Sequence, residues 1–244
     1  MCIKMLEKQV NGTLKNGCIL MLGPGGSGKT YIYKTLCHLF RGYGIKFKTS
    51  AWMGIAANLL PDGRTMHKTF GLPFELDKNS VTAAKPNNRI GREIIETQVF
   101  IVDEISMVPN HALEIIDKKC RELMNNELPY GGKVFIAGGD LRQILPVKKR
   151  AGRSELVGLS ITKSEKLMPY FSKNVFELKK NMRVLKKDKD VDMEDLDEND
   201  ELDALKMLEN EEYEPSVKIS KRFMTSACIE KCTYNVMKKV TVFL

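Results

Sequence analysis

Near the start of the chain runs Gly23-Pro24-Gly25-Gly26-Ser27-Gly28-Lys29-Thr30. A glycine, four intervening residues and then Gly-Lys-Thr is the pattern of a phosphate-binding loop. It constrains the fold strongly, because such a loop works only between the end of a buried strand and the start of a helix. There the backbone N–H groups turn inward on phosphate oxygens and the helix dipole favours the anion. Gly23, Gly25, Gly26 and Gly28 leave those amides uncovered, and Ser27 stands among them. Lys29 is spaced to reach the outer phosphates, and Thr30 to offer its hydroxyl to Mg2+. The flanks agree. Cys18-Ile19-Leu20-Met21-Leu22 is an apolar run of buried-strand type, and Tyr31 to Phe40 has apolar residues at helical spacing.

The same patterning organises the rest. Residues 1–16 read as a polar helix. Ile45 to Ala51 alternates as a strand does, and Met53 to Leu60 is a short helix stopped by the turn Pro61-Asp62-Gly63. Residues 74–90, with Pro73 and Pro86 nearby, read as loop. Val99 to Val102 is a continuous apolar strand of the kind buried in parallel sheets. Asn110 to Met124 is a helix with Pro109 at its start, and Lys133 to Ala137 is a strand after the turn Tyr130-Gly131-Gly132. Strands alternating with helices imply a doubly wound α/β domain ending near residue 180. Ile219 to Thr225 reads as a strand and Cys228 to Lys238 as a helix, the start of a further domain.

Composition narrows the setting. The chain has 244 residues, 43% of them hydrophobic, enough for a sizeable core. No apolar run approaches the roughly 20 residues that cross a bilayer. The first residues lack the basic-then-apolar pattern of a signal peptide, so an intracellular protein is expected. Cys2, Cys18, Cys37, Cys120, Cys228 and Cys232 include no C-x-x-C pair and read as reduced thiols in packed segments. The net charge of +8 conceals an asymmetry, because residues 188–214 hold fourteen acids against two bases. The remainder is therefore much more basic than the total, as a polyanion-binding body would be, although a solvated lysine-rich surface gives the same count.

Two further strand ends carry chemistry. The Val99–Val102 strand delivers Asp103-Glu104 at its carboxyl end, next in space to a loop of this type. Asp103 suits the Mg2+ position beside Thr30, and Glu104 suits the general base that polarises an attacking water. The following strand ends in Gly138-Gly139-Asp140-Leu141-Arg142-Gln143. Gln143 can present its amide to a terminal phosphate or its water, or it can be a polar turn residue.

Taken together, GPGGSGKT, VDEISM, GGDLRQILPV and LKKNMRV resemble the Pif family of superfamily-one DNA helicases, especially the helicase portion of Helitron-type mobile elements. Gly54 to Leu60, Gly63 to His67 and Leu159 to Ile161 match as well. The likeness spans residue 17 to about 185, and weakly to about 237. It implies an ATP- and Mg2+-using motor that moves 5′ to 3′ on single-stranded DNA and opens duplexes at single-strand junctions. Its fold would be two RecA-like domains with ATP between them. The expected division is residues 1–185 as a RecA-like phosphate-loop domain, 186–214 as an acidic linker, and 215–244 as the start of a second RecA-like domain. By position, Asp103, Glu104 and Gln143 take the catalytic places, with Thr30 and Asp103 as metal ligands. Arg183 matches an arginine that reaches the γ-phosphate. Thr65 and His67 fall in a segment that lies along DNA in the family. Trp52 and Phe70 can stack on bases or pack in the core.

Several family features are missing. The adenine-reading glutamine upstream of the loop has no clear counterpart, Gln9 being a poor match. A Lys-Ser-Gln-Gly-like segment and a later arginine motif are not found, and Leu141 stands where Phe is usual. A truncated gene model or a decaying element copy accounts for this, and the expected behaviour is weak Mg-ATP binding with slow or no hydrolysis. The resemblance implies genome maintenance (repair, recombination, telomere upkeep) or mobile-element replication, a nuclear or mitochondrial setting, and a monomer. The competing reading is a nucleotide- or DNA-binding fragment without motor activity. A small-molecule kinase is a third, and it leaves the basic body and GGDLRQILPV without explanation.

Overall fold

Apolar runs of five or six residues separated by helices fold here as a parallel sheet. In a computed structural model of the chain, residues 1–77, 79–144, 146 and 152–182 are described. In chain order the elements are α1 (Cys2–Val10), β1 (Cys18–Leu22), α2 (Lys29–Gly42), β2 (Phe47–Ala51), α3 (Gly54–Asn58), β3 (Arg64–Thr65) and α4 (Met66–Phe70). There follow α5 (Arg89–Glu96), β4 (Val99–Asp103), α6 (Asn110–Met124), β5 (Val134–Gly139), α7 (Arg153–Gly158), α8 (Met168–Phe171) and β6 (Val175–Glu177). Residues Met1–Met182 form one compact unit. The expectations for residues 186–214 and 215–244, for Arg183, and for Cys228 and Cys232 lie outside the described residues.

The sheet order is β3-β2-β4-β5-β1-β6, and every pairing is parallel. Alternation divides each central strand between two cores. Ile19, Met21, Val99, Ile101, Val134 and Ile136 join Tyr33, Cys37 and Phe40 of α2 on one face. Cys18, Leu20, Phe100, Val102, Phe135 and Ala137 join Phe70, Ile94, Ile116 and Phe171 on the other. Both faces being covered explains why β4 reads as unbroken apolar sequence. Phe70 is one of these core rings, 5.0 Å from Phe100, so of its two readings packing holds. Cys18, Cys37 and Cys120 are buried free thiols, as expected, while Cys2 is only half-buried.

The helix at Asn110–Met124 has the expected bounds, and most other expected elements shift by a few residues. The short pair β3 and α4 and the helix α5 were not expected. The loop expected over 74–90 instead gives way to α5 at Arg89. Gly91 inside this helix weakens the sequence signal by about 1 kcal/mol. Yet a Cβ there would overlap the Lys85 carbonyl, so the glycine permits a close approach. Asn88 starts the helix, its Oδ1 accepting from the Gly91 N–H at 2.9 Å.

Candidate active site

The phosphate loop leaves β1 at the carboxyl edge of the sheet, between its neighbours β5 and β6, where open α/β sheets bind ligands. Its first residue is tied to β5, since the Gly23 N–H donates to Gly139 O at 3.2 Å. A Cβ on Gly23 would lie 2.5 Å from Ser27 Oγ and 2.9 Å from Leu178 Cβ, so only glycine fits. Gly26 and Gly28 have φ of 79° and 92°, the left-handed region that the inward turn of the amides requires. The Lys29 ammonium folds back over the loop, donating to Gly23 O at 2.7 Å and Pro24 O at 3.1 Å. Ser27 Oγ is buried in the loop without a hydrogen-bond partner.

β4 brings Asp103 to the same edge, buried, and Glu104 beside it. Burial raises the Asp103 carboxyl above its ordinary range, opposed by the Glu104 backbone N–H, the Lys29 charge and the Tyr33 hydroxyl. Burial also raises Glu104, helped by the Asp103 charge and opposed by Lys29. A raised carboxylate is a better proton acceptor, which suits a general base. Glu104 has φ 56°, a left-handed backbone that a non-glycine residue adopts at a cost of about 1 kcal/mol. The turn after it presses on β5, where a Cβ at Gly139 would meet the Ile105 N at 3.0 Å. Neither glycine that ends β5 has a positive φ; a Cβ at Gly138 would overlap Tyr33 Oη, and one at Gly139 would crowd Ile105.

Beyond β5, Asp140 holds the turn by accepting from the Arg142 N–H at 3.1 Å, and the Gln143 N–H donates to Asp140 O at 3.0 Å. Gln143 is exposed, and its Nε2 would stand 3.7 Å from a Cβ on Gly25. Its amide thus faces the phosphate loop. After β6 the chain returns to the loop, where the Met182 N–H donates to Gly26 O at 2.9 Å. Arg183 follows Met182 in sequence and lies outside the described residues.

Thr30 and Asp103 carry the hard oxygen donors that Mg2+ takes, and the unpartnered Ser27 Oγ lies in the same loop as Thr30, a donor set that fits a Mg2+-nucleotide. Among the described residues no group of three or more His, Cys, Asp or Glu side chains could hold a metal without such a ligand. A surface cavity of about 340 Å3 lies away from the loop, lined by Arg41, Lys46, Lys48, Asp62, Glu93 and Glu96 among others. Its charges are paired with each other, as Arg41 is with Asp62 at 2.7 Å and Lys48 with Glu93 at 2.7 Å.

Gln9 sits elsewhere. Its Nε2 donates to Gly132 O at 3.1 Å and Gln98 O at 3.3 Å, at the end of the sheet opposite the phosphate loop. Thr65 caps α4, accepting weakly from the Lys68 N–H at 3.4 Å. His67 lies between two rings, 4.5 Å from Trp52 and 5.6 Å from Phe74, and burial lowers its pKa. Phe74 is 93% exposed, and sequence reading had not singled it out. The other residue missed is Tyr33, whose hydroxyl reaches Asp103; its helical spacing had marked it only as apolar.

A family model described as PIF1-like helicase matches residues 4–210 of the chain. The chain belongs to the PIF1-like helicase family. It is 31% identical over 134 residues to the ATP-dependent DNA helicase Pif1 of Psychrobacter sp. (strain PRwf-1), covering 54% of this chain and 20% of that relative. It is 33% identical over 147 residues to the ATP-dependent DNA helicase PIF1 of Candida albicans, covering 59% of this chain and 16% of the relative. The solved Bacteroides sp. Pif1 in complex with ADP-AlF4 superposes with a TM-score of 0.58 at 29% identity, over 75% of this chain and 42% of that one. A Bacteroides Pif1 with ADP-AlF3 and single-stranded DNA gives 0.57 at 26% identity, over 98% and 57%. The chain thus spans about a fifth of the length of these curated relatives. No described helix is long and apolar enough to cross a membrane.

Proposed function

We propose that the chain supplies the nucleotide-binding wall of an ATP-dependent helicase that moves 5′ to 3′ on single-stranded DNA and opens duplexes at junctions. The observation that carries this reading is convergence at one sheet edge. Lys29 and Ser27 come from the loop after β1, Asp103-Glu104 from the end of β4, and Gln143 from the turn after β5. The loop amides and the Lys29 ammonium grip the phosphates, while Thr30 and Asp103 hold Mg2+. When bound, that ion neutralises charge developing on the phosphate oxygens. Glu104 takes a proton from the attacking water, and Gln143 orients that water from across the loop. Arg183 supplies the remaining positive charge.

The DNA track in this proposal crosses Thr65 and the Trp52, His67 and Phe74 ring cluster, because a base can stack on an exposed aromatic face whatever its identity. Residues 1–185 form the first RecA-like domain, 186–214 an acidic linker and 215–244 the start of a second. The setting is intracellular, in nucleus or mitochondrion. The protein acts as a monomer, in genome maintenance (repair, recombination, telomere upkeep) or in replication of a mobile element. The competing reading is a nucleotide-binding unit that does not turn over, whereas a motor works by cyclic closure between two domains.

ATP binding and hydrolysis, with and without single-stranded DNA, separate the two. DNA-stimulated turnover supports the motor, and binding without turnover supports the second reading. In either case Lys29→Ala abolishes nucleotide binding. Glu104→Gln spares binding and removes whatever hydrolysis the chain shows. Nucleotide binding unchanged in Lys29→Ala refutes the site.

A further inference from the structure

One turn after Lys29, α2 carries a side chain that phosphate-loop chemistry does not use. Tyr33 is fully buried, yet its hydroxyl reaches the edge where the site lies. Its Oη donates to Asp103 Oδ1 at 3.3 Å, a long bond for this pair. A notch in β5 receives the hydroxyl, since a Cβ at Gly138 would overlap Tyr33 Oη and stand 2.8 Å from Cζ. β5 lies beside β4, with Val102 opposite Ala137, so Gly138 and Asp103 flank the hydroxyl from adjoining strands. The ring itself packs with Cys37, Ile101 and Ile136. A polar tip on a fully buried ring, an acid at the strand end and a glycine that admits the tip form one arrangement. The Glu104 backbone N–H also favours the charged form of this carboxylate.

We propose that Tyr33 is a positioning residue for Asp103: it pins the carboxylate through Oδ1 and leaves Oδ2 for the metal of a bound Mg-nucleotide. This rests on the reading of Asp103 as the Mg2+ carboxylate. Partners that orient a metal ligand without touching the metal affect metal affinity more than they affect the rest of a site. Gly138 belongs to the same device, because any side chain there would drive the hydroxyl out of its notch.

The test is binding of a fluorescent ADP analogue to the full chain, titrated with Mg2+ and repeated in EDTA. Tyr33→Phe keeps the ring and removes only the hydroxyl. Its Mg2+ midpoint is expected to rise about tenfold, the lower end of what such outer partners contribute. Affinity in EDTA is expected to stay as in the parent chain. An unchanged midpoint, or an equal loss with and without metal, overturns the proposal. Should Tyr33→Phe fail to fold, Gly138→Ala displaces the hydroxyl by another route and must raise the midpoint in the same way; an unchanged midpoint there also overturns it. Where both fold, the double variant should be no worse than the worse single, because both remove one contact. Asp103→Asn separates the two levels. If it leaves Mg2+ dependence intact, the metal reading of Asp103 falls and the role of Tyr33 with it. If it removes that dependence and Tyr33→Phe does not weaken it, only the role of Tyr33 falls.

Discussion

Lys133 should make this protein more stable as the solution becomes alkaline. It is 2% exposed immediately before β5, and its ammonium donates to Thr97 O at 2.7 Å and Ile95 O at 3.0 Å, carbonyls at the end of α5. Neither acceptor carries a full charge, so the loss of hydration is poorly offset. Burial lowers its pKa from 10.5 to about 8. At 1.36 kcal/mol per unit, that shift corresponds to about 3 kcal/mol. Below pH 8 the lysine is charged in both folded and unfolded chains, and folding bears the whole penalty. Between about 8 and 10.5 only the unfolded chain keeps the proton, so stability rises by about 1.4 kcal/mol per pH unit. The neutral amine still has two N–H groups for the two carbonyls, so the contact survives deprotonation. Urea unfolding of the parent chain and of Lys133→Met, from pH 7 to 10.5, isolates this term, because other titrating groups are common to both. The parent should gain about 3 kcal/mol on the variant across that range. Curves that stay parallel refute the reasoning, whatever their offset at pH 7, where Met also orphans two carbonyls.

Two further outcomes are expected. Glu104→Gly should stabilise the fold by about 1 kcal/mol in urea unfolding, because φ 56° is free for glycine, while removing any hydrolysis the chain shows; a destabilised variant counts against the strained turn. Phe74→Ala should weaken single-stranded DNA binding about 5- to 150-fold, from about 1–3 kcal/mol per stacked base, with little change in Tm since the ring is exposed; unchanged binding removes Phe74 from the track.

The parts of this fold that sequence reading recovered are those whose signal is local. β1, β4 and β5 are apolar runs with both faces covered, and α6 has its periodicity and its Pro109 start. The phosphate loop and the Asp103-Glu104 strand end are local too, and the structure brings Lys29, Asp103, Glu104 and Gln143 to one edge. What escaped depends on long-range partners. β3 is two residues long and exists only because Ser50 and Ala51 pair with it. α5 contains a glycine whose use is visible only beside Lys85. Tyr33 has the pattern of a core residue, and its polar role appears only once β4 and β5 place Asp103 and Gly138 around it. Phe74 sits in a polar loop, and nothing in its neighbours announces the ring of His67.

The Lys29 ammonium resting on Gly23 O and Pro24 O makes the loop its own competitor. A ligand entering this site must outbid two neutral carbonyls already in place, and only a stronger acceptor can do so. An anionic phosphate oxygen qualifies, since hydrogen bonds to charged acceptors are roughly twice as strong as neutral ones. A sugar hydroxyl or a base carbonyl does not. The contact therefore favours an anionic oxygen over a neutral acceptor at the Lys29 ammonium.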